Sequence, residues 1–124
     1  MPFSLTLLIL PLCLHKDTRE AINRGNRSYL TKIVEDNPEI LVGLPHRARS
    51  LVPYAFEAFG LLMQLGAIAV GPEGRITTAA GCIRSSVTGT DESRACQLAA
   101  RTLGKKFASI GDRVTIYTTF GIRP

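Results

Sequence analysis

The chain has no tryptophan, two histidines and three cysteines among its 124 residues. Structural zinc needs three or four thiolate or imidazole ligands at short, regular spacings. Cys13, Cys82, Cys96, His15 and His46 form no such pattern and no Cys-x-x-Cys pair, so the sequence is not organised around a closed metal site. An odd number of isolated cysteines reads as reduced thiols in a cytosolic protein, with Cys13 and Cys96 as small buried side chains. Aromatics are few, five Phe and three Tyr, and supply no stacking series of the kind that tracks single strands. The chain also lacks repeats, heptad arrays, low-complexity segments and any dense Lys/Arg run.

What is present describes one small domain, residues 1–124. Fifteen Lys and Arg against ten Asp and Glu give a net charge of +5. With 45% hydrophobic residues, a pI near 9.5 and a mean hydropathy of +0.14, a disordered basic tail is excluded. So is a large enzyme carrying its own cofactor domain; no cofactor is expected.

Phe3 to Leu14 is an uncharged apolar run. It is too short to span a bilayer, no Lys or Arg precedes it, and no small-residue cleavage site follows. It reads as a buried helix or an intersubunit surface. Asp17 and Glu20 have capping-box spacing before a short helix that Gly25 ends. Ser28 opens a second helix through Leu30, Ile33 and Val34, which Asn37-Pro38 stops. Gly43-Leu44-Pro45 marks a turn into another short helix.

Pro53 then suits the first turn of the strongest helix, whose apolar residues Ala55, Phe56, Phe59, Leu62 and Met63 read as a central core face. At Gly66 the pattern switches to two short strands around Gly71-Pro72-Glu73-Gly74, a β-hairpin at about 67–78. Two helices, a core helix and a hairpin are the order of a winged helix over residues 1–80. Ala79 to Thr90 reads as a loop. Thr90 caps a helix with Asp91 and Glu92 in its first turn and an apolar stripe through Cys96, Ala99, Leu103 and Phe107. The last element is ambiguous: Val114, Ile116 and Thr118 alternate like a strand, whereas Asp112 before and Gly121 after favour a short helix. The expected class is α+β, mostly helical, with a helical part over residues 91–124.

No catalytic constellation stands out. Gly71-Pro72-Glu73-Gly74 has no Lys-Ser/Thr after it and is not a phosphate loop. Glu35-Asp36 are adjacent on a helix and point apart. Neither His15 nor His46 has a sequence-local partner. The chain is expected not to be an enzyme. Arg47, Arg49, Arg75, Arg101, Lys105 and Lys106 suit phosphate contacts from a wing and helix ends, but equally suit an acidic partner protein. The modest net charge favours partner contact.

Particular residues carry a resemblance. Leu10 through Ala21, Asn37 through Gly43, Arg47 through Tyr54, Leu103 through Ala108, Thr115-Ile116-Tyr117 and Gly121-Ile122-Arg123-Pro124 follow one another as in the middle component of bacterial three-component ABC conflict systems, which the chain resembles over nearly its whole length. Members usually carry a further helical segment before the apolar run, at which this chain almost begins. The resemblance implies a cytoplasmic, non-catalytic accessory subunit beside an SMC-like ABC ATPase and a toxic effector, commonly a nuclease, in systems related to Lamassu antiphage defence. Expected docking residues are Leu7, Leu8 and Leu12 in the N-terminal run and Tyr117, Phe120, Ile122 and Arg123 in the ending, with DNA-backbone contact within the complex and no membrane contact. The alternative is a stand-alone winged-helix DNA-binding protein or repressor. A third reading, a small hydrolase using Cys82 or Cys96 with His46, has the least support.

Overall fold

The computed structural model describes residues 3–82 and 86–122. The apolar run does not form one helix. It folds into two short turns of helix, Phe3–Thr6 (α1) and Ile9–Cys13 (α2). Pro11 lies in the first turn of α2, where a missing N–H costs no intrahelical bond. Lys16–Arg24 (α3) and Leu30–Asp36 (α4) follow, then a 3-10 turn at Pro38–Leu41. Leu44–Gln64 (α5) leads into the strands Ile68–Val70 (β1) and Ile76–Thr78 (β2), and Asp91–Ile110 (α6) and Arg113–Thr119 (α7) close the chain. The class is therefore mostly helical, with a two-stranded antiparallel sheet in the register Ile68 to Thr78, Ala69 to Thr77 and Val70 to Ile76.

Local chemistry accounts for most boundaries. The expected caps of α6 and α7 are made: Thr90 Oγ1 accepts from the Ser93 N–H at 3.1 Å, and the Asp112 carboxylate accepts from the Val114 and Thr115 N–H groups at 3.2 and 3.3 Å. The last cap settles the ambiguous final element as a helix. Those bonds, with the Thr115 hydroxyl foremost, hold the Asp112 carboxyl below its usual range. The start of α3 differs from expectation. Its N-cap is His15, whose Nδ1 accepts from the Thr18 N–H at 3.4 Å, and Asp17 lies within the first turn. Gly25 ends α3 for a packing reason: a Cβ there would meet Ile33 Cγ1 at 2.8 Å.

The larger difference concerns α5. A separate short helix near Gly43 and a core helix from Pro53 were expected. Gly43, in the left-handed region at φ 70°, instead turns the chain into one helix of 21 residues that continues through Pro53. Pro53 removes the donor to the Arg49 carbonyl, but both residues are exposed, so water can satisfy that carbonyl. Nor is α5 the centre of the core. Only Leu44 and Ala55 of its residues are buried.

The core is built around α2, which packs on α3, α5 and α6. Leu5, Leu8 and Leu12 meet Ile22 of α3, Leu103 of α6 and Ile116 of α7 in one cluster. Phe107 and Phe120 close it edge to face, with ring centroids 6.4 Å apart at 74°. This cluster draws on the residues before the hairpin and those after it alike.

Candidate functional site

Two surfaces are left over once the core is assigned, one apolar and one cationic. The apolar surface is the second half of α5. Tyr54, Ala58, Leu61 and Leu65 recur at spacings of four, three and four, which places them on one side of the helix. That side faces away from the core, and Tyr54, Leu61 and Leu65 are 63%, 58% and 69% exposed. On the opposite flank Phe56 and Met63 are also exposed. Phe3 lies between Phe56 and Phe59, at 5.9 and 5.1 Å between ring centroids, and ties α1 to this helix. From Leu51 to Val70 the only charged residue is Glu57. A helix face this apolar and this poor in charge has the composition of an interface centre.

The cationic surface is a groove between α6 and the turn joining α3 to α4. Lys106 holds its walls together. Its Nζ donates to the Asn26 carbonyl at 3.1 Å and to the Ser28 carbonyl in a shorter bond, and partial burial pulls the ammonium below its ordinary pKa. Two adjoining depressions share Lys106 and Ser109: one reaches along α6 past Lys105 and Arg101, the other passes Arg27, Tyr29 and Thr115. Among the described residues no carboxylate lines either one, although the Thr115 hydroxyl at the wall donates to the Asp112 carboxylate at 2.6 Å.

The expected DNA-contact residues therefore divide. Arg101, Lys105 and Lys106 come together in the groove, whereas Arg47, Arg49 and Arg75 do not reach it. Arg47 is committed to its own chain: its guanidinium donates to the Val42 carbonyl at 2.8 Å and the Ile40 carbonyl at 3.4 Å, closing the 3-10 turn onto α5. Arg49 is exposed on α5 and Arg75 is exposed in the hairpin.

The expected docking residues are placed mainly inside the protein. Leu8, Leu12, Tyr117 and Phe120 are at most 6% exposed, and all four belong to the core cluster. They present almost no side-chain surface to a partner, because α2 and α7 supply apolar faces that the short helices around them need. The Tyr117 hydroxyl donates to the Ser4 carbonyl, and burial pushes the phenol up. Leu7 and Ile122 are half-buried. Arg123 lies outside the described residues.

Several residues escaped notice in the sequence. Tyr29, 86% exposed, and Arg27 become neighbours of the α6 cations only through tertiary packing. On α5 the expected core face was Ala55, Phe56, Phe59, Leu62 and Met63, of which Phe56 and Met63 are exposed; the face with Tyr54, Leu61 and Leu65 was not singled out, and its lack of charge was the available signal. Arg19 is the least expected. It is 5% exposed and reaches from α3 to the end of α2, donating to the Cys13 and Leu14 carbonyls at 3.2 and 3.4 Å and to Cys96 Sγ at 3.4 Å. A cation at a helix C-terminus satisfies carbonyls that have no intrahelical donor. Its second nitrogen pairs with the exposed Glu92 at 3.5 Å.

The thiols differ in setting. Cys13 is buried, Cys96 half-buried and Cys82 exposed, and all are free. Burial, with a smaller contribution from Cys96, pushes the Cys13 thiol up to about 12. Among the described residues, no three His, Cys, Asp or Glu gather as metal ligands, and no helix is long and apolar enough to cross a membrane.

No curated protein and no solved structure matches the chain. A family model does, over residues 1–124, and its family is described as ABC-three component (ABC-3C) system Middle Component 3. With the match running the full length of the chain, the resemblance read from its ordered motifs becomes a membership: the protein belongs to this family of middle components of ABC-three component systems.

Proposed function

We propose that the chain is a non-catalytic accessory subunit that joins an SMC-like ABC ATPase to a toxic effector, a nuclease, in a cytoplasmic system related to Lamassu antiphage defence. A middle component works with the other components of its system, and it needs a surface on which to meet them. The observation that carries the reading is the exposed face of α5, where Tyr54, Leu61 and Leu65 stand in solvent. Burying such a face removes several large apolar side chains from water, with Glu57 beside Tyr54 and Leu61 as the one charge a partner has to meet.

The mechanism in this reading is contact rather than bond chemistry. A nucleotide-dependent or DNA-dependent change in the ATPase alters how well it holds the α5 face, and the effector is retained or released accordingly. A ligand shifts such an equilibrium only by its differential affinity for the two states.

The test is co-expression with the ATPase and effector encoded beside it, followed by affinity capture of each. Leu61→Asp with Leu65→Asp is expected to lower capture of one component at least tenfold while circular dichroism and the unfolding midpoint stay near wild type. Undiminished capture by the folded double variant overturns α5 as the docking face.

A further inference from the structure

We infer that the exposed stripe of α5 pairs with the same stripe of a second copy of the chain, the two helices running antiparallel about a two-fold axis at the level of Phe59 and Gly60. The level of the axis follows from the residues: Tyr54, Ala58, Leu61 and Leu65 are spaced four, three and four apart, the same from either end. The pairing shares the α5 face with the function proposed above and needs none of its assumptions about other components.

The first reason is the order of sizes along the stripe. Turned end for end, it sets Ala58 of each copy against Leu61 of the other, and Tyr54 of each against Leu65 of the other. A small residue thus faces a large one in both central layers, as close helix packing requires. A parallel pair would set Ala58 against Ala58, which leaves a gap, and Leu61 against Leu61. All four residues stand exposed in the single chain, so the pairing costs no rearrangement of the core.

The second reason is where the polar groups fall. Glu57 and Gln64 border the stripe on one side, each one residue before a stripe position, and both line a shallow depression with Tyr54, Ala58, Gly60 and Leu61. Neither side chain has a hydrogen-bond or ion-pair partner among the described residues. In the antiparallel pair, Glu57 of each copy lies within about 3 Å, measured along the helix axis, of Gln64 of the other. Each carboxylate can then accept from a side-chain amide, twice by symmetry. At Gly60 a Cβ would meet nothing within 4 Å, which leaves room beside these contacts. The one charge between Leu51 and Val70 is met in this way by the stripe's own neighbour.

The extent of the contact sets its strength. From Tyr54 to Leu65 the stripe runs about 17 Å along the helix, and a contact of three turns buries less than the ~800 Å² per partner of a standard stable interface. The dimer is accordingly weak, with a Kd on the order of 10–100 µM. A pairing of that strength covers the apolar face while the chain is free and concentrated, and it yields to any component that binds the same face more tightly.

The experiment is sedimentation velocity of the purified full-length chain from about 1 to 300 µM, a range that brackets the expected Kd. The expected result is a reversible equilibrium of monomer and dimer. Leu61→Ala weakens it by about tenfold or more, and Ala58→Leu, which sets two leucines against each other, by about fivefold. The double variant exchanges large and small across both central layers and returns the Kd to within about twofold of the original. Gln64→Glu, which faces Glu57 of the other copy, weakens the dimer about fivefold, and Gln64→Lys strengthens it about as much. All three altered positions are solvent-exposed, and an unchanged circular dichroism spectrum checks the fold. A monomer throughout the range overturns the inference, as do a dimer that Leu61→Ala leaves intact, a dimer that Ala58→Leu tightens, or Gln64→Glu and Gln64→Lys acting alike. Capture of another component by a chain that stays monomeric overturns this inference alone. A dimer whose capture of that component survives Leu61→Asp with Leu65→Asp overturns the docking proposal alone.

Discussion

Two stretches of this chain are nearly uncharged and strongly apolar: Phe3 to Leu14, and Tyr54 to Leu65 with Glu57 as its single charge. Their fates are opposite. The first supplies Leu5, Leu8 and Leu12, each at most 1% exposed, to the centre of the core. The second leaves Tyr54, Phe56, Leu61, Met63 and Leu65 between 49% and 69% exposed. Composition does not separate them. What separates them is the number of faces their neighbours cover. The short α2 is covered by α3, α5 and α6, whereas α5 meets α2, the 3-10 turn and β1 along limited parts of its length. A long helix with one covered side must leave its other apolar residues in water or give them to a partner.

That contrast can be broken at several places. Leu12→Ala deletes a fully buried side chain and is expected to lower the free energy of unfolding by about 3 kcal/mol in urea denaturation. A loss under ~1 kcal/mol would mean that the N-terminal run is not the core. Tyr117→Phe removes the donor to the Ser4 carbonyl and should cost about 1–2 kcal/mol, read in the same way.

The Cys13 thiol reports on the run by titration. Its folded pKa of about 12 lies above the ordinary thiol value near 8.5. The unfolded chain therefore ionises first as pH rises, and the folded state loses stability from about pH 8.5 towards 12. Between pH 8 and 9.5 the loss assigned to this thiol is about 1 kcal/mol, and Cys13→Ala should remove that part of the slope. A thiol reagent at pH 8 should label the exposed Cys82 first and Cys13 only on unfolding. The smallest effect is expected in the second stretch: Leu61→Ser with Leu65→Ser should change stability by less than about 0.5 kcal/mol. A large loss there would erase the contrast, because it would show that the face is already packed.

Much of the fold is readable from local chemistry. The hairpin follows from two β-branched segments around a Gly-Pro-Glu-Gly turn, and α6 and α7 follow from Thr90 and Asp112 before their first turns. These signals act over three or four residues, so they survive without tertiary context. The continuity of α5 through Pro53 was not readable in the same way, since a proline stops a helix or not according to whether the freed carbonyl meets water. The cationic site was half legible: Arg101, Lys105 and Lys106 are close in sequence and stay close in space. Arg27 and Tyr29 join them because α3 packs on α6 and Lys106 bonds back to the Asn26 and Ser28 carbonyls, contacts across some eighty residues that no local pattern announces.

By itself, then, the sequence determined a mostly helical class, the position of the hairpin, the caps of α6 and α7 and membership of a middle-component family through the order of its motifs. Only the tertiary structure decided which apolar stretch became core and which remained a surface, and which cations share a groove. The physical reason is that capping, turn chemistry and periodicity are properties of neighbours along the chain. Burial and the convergence of charge depend on which elements happen to cover which, and the free energy of that covering is spread over side chains far apart in sequence.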